Sequence, residues 1–196
     1  TFYVGFDPTA DSLHVGQLAV INLIKLLQEE GHKAIILLGG ATAQVGDPGG
    51  KDKERQLLDK DTTDTNLNSM STQIKKLLKQ DKDSYIILNN SDWLSNWSYL
   101  DFLRDVGKHF SVNKMVTRES VKRRIEREDI GISYTEFSYM LIQAYDFYHL
   151  YKEHKCSLQI GGSDQWGNIV SGVDYIRRKE QKTAYGMTFP LLTKAD

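Results

Sequence analysis

The sequence predicts an α/β protein in which a parallel five-stranded sheet is flanked by helices, with a long helical region between the third and fourth strands. Three observations carry this. Short apolar or β-branched runs recur at residues 2–6, 34–38, 85–88, 158–160 and 189–192, the first four closed by Gly, Asp or Asn, which is the form of strands covered on both faces. The segments between them place apolar residues at helical spacing, so strands alternate with helices rather than with hairpins. The Gly-, Asp- and His-bearing motifs follow the strands or sit on a helix able to face them, as expected when a site lies at the carboxyl ends of a parallel sheet.

The first run, FYVGF, contains Gly5, which suits close approach of another group to the backbone. Asp7-Pro8-Thr9 stops it, because proline has no N–H for a ladder and Asp and Thr favour turns. Asp11 and Ser12 are the expected N-caps of a helix whose apolar positions are Leu18, Ile21, Leu23, Ile24 and Leu27. His14 and Gly16 then fall in its first turn, where free backbone N–H groups and the positive end of the helix dipole suit a phosphate. Gly16 would let a ligand reach the backbone, and His14 would donate to a phosphate oxygen or a leaving group gaining charge. The plainer reading is a capping loop with an incidental His.

Residues 34–38 (AIILL) run into a glycine-rich loop, GGATAQVGDPGGK, at 39–51. The Walker spacing fails, since Val45 stands where its first glycine is needed and Asp52 where Ser or Thr would hold magnesium. Asp47 is a carboxylate placed to bind an ammonium, or else an Asp-Pro turn former. Residues 51–82 read as surface helices, with apolar positions at Leu57, Leu58, Ile74, Leu77 and Leu78. The third run, 85–88, is closed by Asn89-Asn90-Ser91-Asp92, and a long helical region is expected from residue 93. Lys122, Arg123, Arg124 and Arg127 form a basic stripe, either a solvated helix face or a surface for RNA.

The helix expected over 137–151 carries Tyr139, Gln143 and Asp146 at i, i+4 and i+7 among Phe, Met, Leu, Ile and Tyr. A polar stripe in such company lines a polar pocket or faces solvent, because burial without partners is too costly. Residues 158–160 lead into Gly161-Gly162-Ser163-Asp164-Gln165. Paired glycines there admit a ribose and base, and Asp164 is placed as a partner for ribose hydroxyls. Residues 170–180 read as a helix ending in Arg177-Arg178-Lys179, and 189–192 as the last strand. The order of strands and helices implies a Rossmann-like sheet.

Residues 5–16, GFDPTADSLHVG, resemble the signature that opens the catalytic domain of class I aminoacyl-tRNA synthetases, especially those specific for tyrosine. That signature usually ends His-x-Gly-His, whereas here Gln17 takes the last place and cannot carry a proton charge. The loop GGAT…GDPGGK and the stretches 137–151 and 158–169 are similar to the same family, with Gly49 where Ser or Thr is usual. The resemblance implies roles for particular residues. Tyr3 and Asp146 would read the phenolic hydroxyl of tyrosine. Asp47, Tyr139 and Gln143 would meet its ammonium, Gln165 its carboxylate or the adenylate, and Gln159 would line the amino-acid side. Gly5, Asp7, Thr9, His14, Gly16, Gln17, Gly162 and Asp164 would form the ATP site, with His14 and Gln17 nearest the chemistry. No metal ligand set and no tightly bound cofactor are expected, ATP entering with Mg2+ as a substrate complex. The implied partners are tyrosine, ATP, tRNA(Tyr) and a second copy of the chain, meeting through residues 101–135 by way of Phe102, Phe110, Val112 and Met115.

At 196 residues the chain suits one domain, and 40% hydrophobic with 26% charged residues is ordinary for a water-soluble protein. No apolar run approaches membrane-spanning length, and no charged-then-apolar leader precedes the first strand. The lone Cys156 fits a reducing compartment, the cytoplasm or an organelle matrix. A net charge of −1 gives no global affinity for nucleic acid, so an RNA site is a local patch or lies outside this chain. Residues 1–196 therefore read as one catalytic domain, incomplete at both ends, with a helical insertion at about 93–155. In the resembling family a second, Lys/Ser-rich phosphate-binding loop would begin just after Asp196. The expected function is activation of tyrosine by ATP and its transfer to tRNA. The alternatives are a nucleotidylyltransferase of related chemistry, or a binding module that has lost turnover.

Overall fold

Strand β1 (Phe2–Phe6) is the middle of a five-stranded parallel sheet of order β3-β2-β1-β4-β5. Its neighbours are β2 (Ala34–Leu38) and β4 (Leu158–Gly162), with β3 (Tyr85–Asn89) and β5 (Tyr185–Phe189) at the edges. This computed structural model of the chain describes residues 1–47, 59–78, 83–126 and 131–192. The chain winds outward from β1 to β3, then returns across the sheet to β4 and β5, which makes the carboxyl ends of β1 and β4 the switch point of the topology.

Alternation along β1 and β2 builds two cores. Phe2, Val4, Phe6, Ala34, Ile36 and Leu38 face one side, against Ile21 and Ile24 of α1 (Val15–Glu29) and Met70 and Ile74 of α2 (Lys60–Leu77). Tyr3, Ile35 and Leu37 face the other, and there α3 (Ser91–Leu94), α4 (Tyr99–Asp105), α5 (Val112–Met115) and α6 (Glu119–Ile125) precede α7 (Tyr134–His154). Phe147 and Leu150 of α7 and Ile176 of α8 (Trp166–Glu180) cover that face. Every residue of β2 is buried, as its uninterrupted apolar run requires. The segment between β3 and β4 is helical throughout its assigned elements, in line with the expected insertion.

The structure differs from the sequence reading at several places. The N-cap of α1 is His14, not Asp11 or Ser12: its Nδ1 accepts from the N–H of Gly16 at 3.1 Å and of Gln17 at 3.3 Å, while Gln17 Oε1 accepts from His14 N–H at 3.1 Å. A side-chain acceptor with a reciprocating Gln three residues on is a capping box, here with His in the role usual for Ser or Thr. The last strand is Tyr185–Phe189 rather than 189–192, since Pro190 cannot donate to the ladder; as an edge strand, β5 alternates in burial instead of forming an apolar run. The long helical region from residue 93 is broken into α3 and α4, because Ser98 caps a new helix by accepting from Asp101 N–H at 3.1 Å. Of the residues expected to offer apolar surface, Phe102, Phe110 and Met115 pack into a small core with Val121, Met140 and Leu141, and Val112 alone is exposed. Helices α7 and α8 run longer at both ends or at the start than their apolar periodicity indicates, the former through a Ser133–Glu136 capping box. Leu57, Leu58, Arg127 and residues 48–51 of the glycine-rich loop lie outside the described residues.

Candidate active site

A cleft of about 240 Å3 opens over the carboxyl ends of β1 and β4 and is walled by α7. Of the fifteen residues expected at the site, thirteen line it: Tyr3, Gly5, Asp7, Thr9, His14, Gln17, Asp47, Tyr139, Gln143, Asp146, Gln159, Gly162 and Gln165. The two exceptions are Gly16 and Asp164. Gly16 lies behind the cap, where a Cβ would fall 3.0 Å from the His14 ring, so the glycine makes room for that ring rather than for a ligand. The Gly16 and Gln17 N–H groups are engaged by His14 and are not free anion donors; what faces outward at the helix start is the other edge of the imidazole. Asp164 is exposed in the short 3-10 turn after β4 and accepts from Gln165 Nε2 at 3.1 Å.

The stripe on α7 is buried rather than solvated. Asp146 is 2% exposed, and each of its oxygens accepts one bond: Oδ1 from Trp93 Nε1 at 2.7 Å, Oδ2 from Asn90 Nδ2 at 2.9 Å. Burial nevertheless pushes its pKa up to about 7, with the negative charge of Asp7 adding to the rise and the two donors opposing it. Two turns earlier Tyr139 donates to Asp7 Oδ2 at 3.0 Å; burial first, then Asp7, raises its phenol pKa well above the usual value. Tyr3 reaches the same wall from β1, its ring 5.3 Å from that of Phe147, and its pKa is likewise raised by burial and then by Asp146.

Across the cleft, Asp47 accepts from Gln165 Nε2 at 2.6 Å and from Asn168 Nδ2 at 3.4 Å, which ties the loop after β2 to the start of α8. Three polar atoms on the wall, Tyr3 Oη, Gln143 Oε1 and Gln159 Oε1, are buried without a hydrogen-bond partner among the described residues. Buried orphans are costly and rare, and three converging on one cleft is the signature of a wall built for a polar ligand. Asp7 lies beside Asp47 and Tyr139 at one end and Asp146 beside Tyr3 at the other, so each end of the cleft sets carboxylate against a buried phenol.

Sequence reasoning missed Thr42, Asn90 and Trp93, which hold Asp7 and Asp146 in place. Asn90 follows β3 at its carboxyl end, and the rule that pointed to Asp47 and Asp164 would have pointed to it too. Gly39 belongs with them, because a Cβ there would fall 2.0 Å from Asp7 Oδ1 and 2.3 Å from Thr42 Oγ1, across the bond joining them.

The whole chain, residues 1–196, matches the sequence model of the family described as tRNA synthetases class I (W and Y). The chain belongs to this family. It is 55% identical to the tyrosine–tRNA ligase of Pelagibacter ubique over 98% of this chain and 47% of that protein. It is 54% identical to that of Pectobacterium atrosepticum over 99% and 46%. Among solved structures it resembles a C-terminally truncated mitochondrial tyrosyl-tRNA synthetase of Aspergillus nidulans, with TM-score 0.86 and 35% identity over 98% of this chain and 61% of that one. The chain thus spans about half the length of the curated relatives it matches. As expected for class I synthetases of this group, the sheet is parallel and Rossmann-like, with the signature residues gathered at its switch point. Among the described residues, no group of three or more His, Cys, Asp or Glu is placed to hold a metal ion, and no helix is long and apolar enough to cross a membrane.

Proposed function

We propose that this chain binds tyrosine and ATP and forms tyrosyl-adenylate, as the activating part of an enzyme that charges tRNA(Tyr). The observation that carries the reading is the trio of unpartnered polar atoms, Tyr3 Oη, Gln143 Oε1 and Gln159 Oε1, on a wall that also holds Asp7, Asp47 and Asp146. Tyrosine fits this pattern. Its ammonium supplies its three hydrogens to Asp47, Tyr139 and Gln143, its ring lies along β1, and its hydroxyl donates to Asp146 while accepting from Tyr3. A tyrosine carboxylate oxygen then attacks the α-phosphorus of ATP, and the bond to the bridging oxygen breaks to release pyrophosphate. Magnesium enters and leaves with the nucleotide as part of the substrate. The chain contributes positioning and charge stabilisation, with Gln165 near the carboxylate, Gly5 and Gly162 beside the nucleotide, and the His14 edge and Thr9 toward the phosphates. Asp164 at the mouth is assigned to the ribose.

The test is tyrosine-dependent exchange of pyrophosphate into ATP, alongside tyrosine binding by calorimetry. The reading expects binding by this chain, with exchange well below that of a full-length relative, which is about twice as long and, by the family resemblance, carries a second phosphate-binding loop outside the span matched here. Exchange without tyrosine would mark a nucleotidylyltransferase, and failure to bind tyrosine would overturn the reading. The same proposal covers a two-fold dimer and residence in the cytoplasm or an organelle matrix. Exposed Tyr99, Leu100, Val112 and Tyr134 offer the apolar surface for the dimer, with Leu100 75% exposed. Leu100→Glu should lower the sedimentation coefficient to that of a monomer.

A further inference from the structure

Thr42 lies in the 3-10 turn that follows β2 and is 3% exposed. Its Oγ1 is 2.8 Å from Asp7 Oδ1 and 3.0 Å from Asn90 Nδ2. Asn90, 1% exposed, has its amide orientation dictated by Ala41, whose N–H donates to Asn90 Oδ1 at 2.8 Å. The Asn90 nitrogen therefore faces the other way, with one hydrogen for Thr42 Oγ1 and one for Asp146 Oδ2. Because Thr42 Oγ1 accepts from Asn90, its own single hydrogen goes to Asp7. The polarity of the chain is thereby forced from end to end: Asn90 donates to Asp146 and to Thr42, Thr42 donates to Asp7, and Tyr139 donates to the other Asp7 oxygen.

We infer that Thr42 is a positioning residue that couples the two ends of the amino-acid pocket, holding Asn90 on Asp146 so that the hydroxyl of the substrate is read. The inference rests on the tyrosine reading above. Among the described residues Thr42 bonds Asp7 and Asn90 but not Asp146, so a purely local role would be felt at Asp7 and hence at the ammonium end alone. The bridge acts at the far end for a physical reason. Without the Thr42 oxygen, one buried Asn90 hydrogen has no acceptor; the amide turns to satisfy it and the other hydrogen leaves Asp146 Oδ2. A carboxylate that has lost one of its two fixed donors is no longer held in the orientation that receives a phenol hydrogen.

The experiment compares tyrosine and phenylalanine, which share the ammonium and carboxylate and differ only at the hydroxyl. Dissociation constants for both are measured by calorimetry on the chain and on Thr42→Val, which keeps the shape and removes the hydroxyl, and on Thr42→Ser, which keeps the hydroxyl. The bridge predicts that Thr42→Val lowers the tyrosine-over-phenylalanine preference about threefold or more, and that Thr42→Ser keeps it within about twofold. Thermal melts establish that each variant is folded, and Thr42→Ala replaces Val should the valine variant not be. Equal weakening of both ligands in the folded variant would show a role confined to the ammonium end and overturn the inference. Absence of tyrosine binding by the unaltered chain would instead overturn the tyrosine reading itself.

Discussion

On the proposed reading, Asp146 should make tyrosine recognition dependent on pH in a way that phenylalanine does not share. Burial raises its pKa from the usual 3.8 to about 7, against the donors Asn90 and Trp93, so the carboxyl of the free chain changes charge across neutrality. A phenol donates far more strongly to the ionised carboxylate than to the neutral carboxyl, whose own O–H competes as a donor. Between pH 8 and pH 6 the ionised fraction falls from about nine-tenths to about one-tenth, so tyrosine affinity should fall about tenfold over that interval, while phenylalanine affinity should not fall. The other titratable groups facing this corner include Asp7, Tyr3, Tyr139, Tyr145 and His149, which stacks on Trp93 at 4.2 Å; burial holds the histidine below its usual value and raises the three phenols above theirs. Repeating the titration in His149→Gln isolates Asp146. The stability linkage has a definite sign. Since the folded value lies above the unfolded one, stability from this group is complete below pH 4 and is lost as pH rises through about 7, a change of about 4 kcal/mol at 1.36 kcal/mol per tenfold. The difference in melting temperature between the chain and Asp146→Asn should therefore change sharply between pH 4 and pH 7. Tyrosine affinity that is flat from pH 6 to pH 8, or that falls equally for phenylalanine, would refute the reasoning.

Further outcomes follow from the same geometry. Because His14 both caps α1 and faces the cleft, His14→Asn should retain the cap and lose the outward donor, raising the exchange barrier by about 2–4 kcal/mol with tyrosine affinity unchanged. His14→Ala should add a cap loss of about 1 kcal/mol in urea unfolding, and equal activity of the Asn variant and the parent would exclude the donor role. Arg124 and Glu136 form a buried bidentate pair that ties α6 to the first turn of α7, so Arg124→Met should cost about 3–5 kcal/mol in denaturant unfolding, much of it recovered when Glu136→Leu is added. Burial pushes the Cys156 thiol up to about 12, so a disulfide-exchange reagent at pH 8 should label it only as fast as the chain unfolds.

Strands β1, β2 and β4 are legible because strands in the middle of a covered sheet are largely apolar, β3 because its run YIIL is apolar although it lies at an edge, and the closing Gly, Asp and Asn of their loops have local causes. So is the stripe on α7, since Tyr139, Gln143 and Asp146 share a face by helical geometry alone. The edge strand β5 is displaced in the reading because Gly186 and Thr188 interrupt its apolar residues, so it carries no continuous apolar run, whereas the other edge strand β3 does. The cap at His14 also escaped, because imidazole rarely serves there and only the ring's placement over Gly16 reveals it. By itself the sequence determined which residue types meet at the carboxyl ends of a parallel sheet, a consequence of periodicity and turn chemistry. Tertiary structure alone decided how they are wired. Thr42, Asn90 and Trp93 bond Asp7 and Asp146 across separations of 35 to 56 residues, and no local propensity encodes a hydrogen bond between side chains that meet only once the sheet has closed.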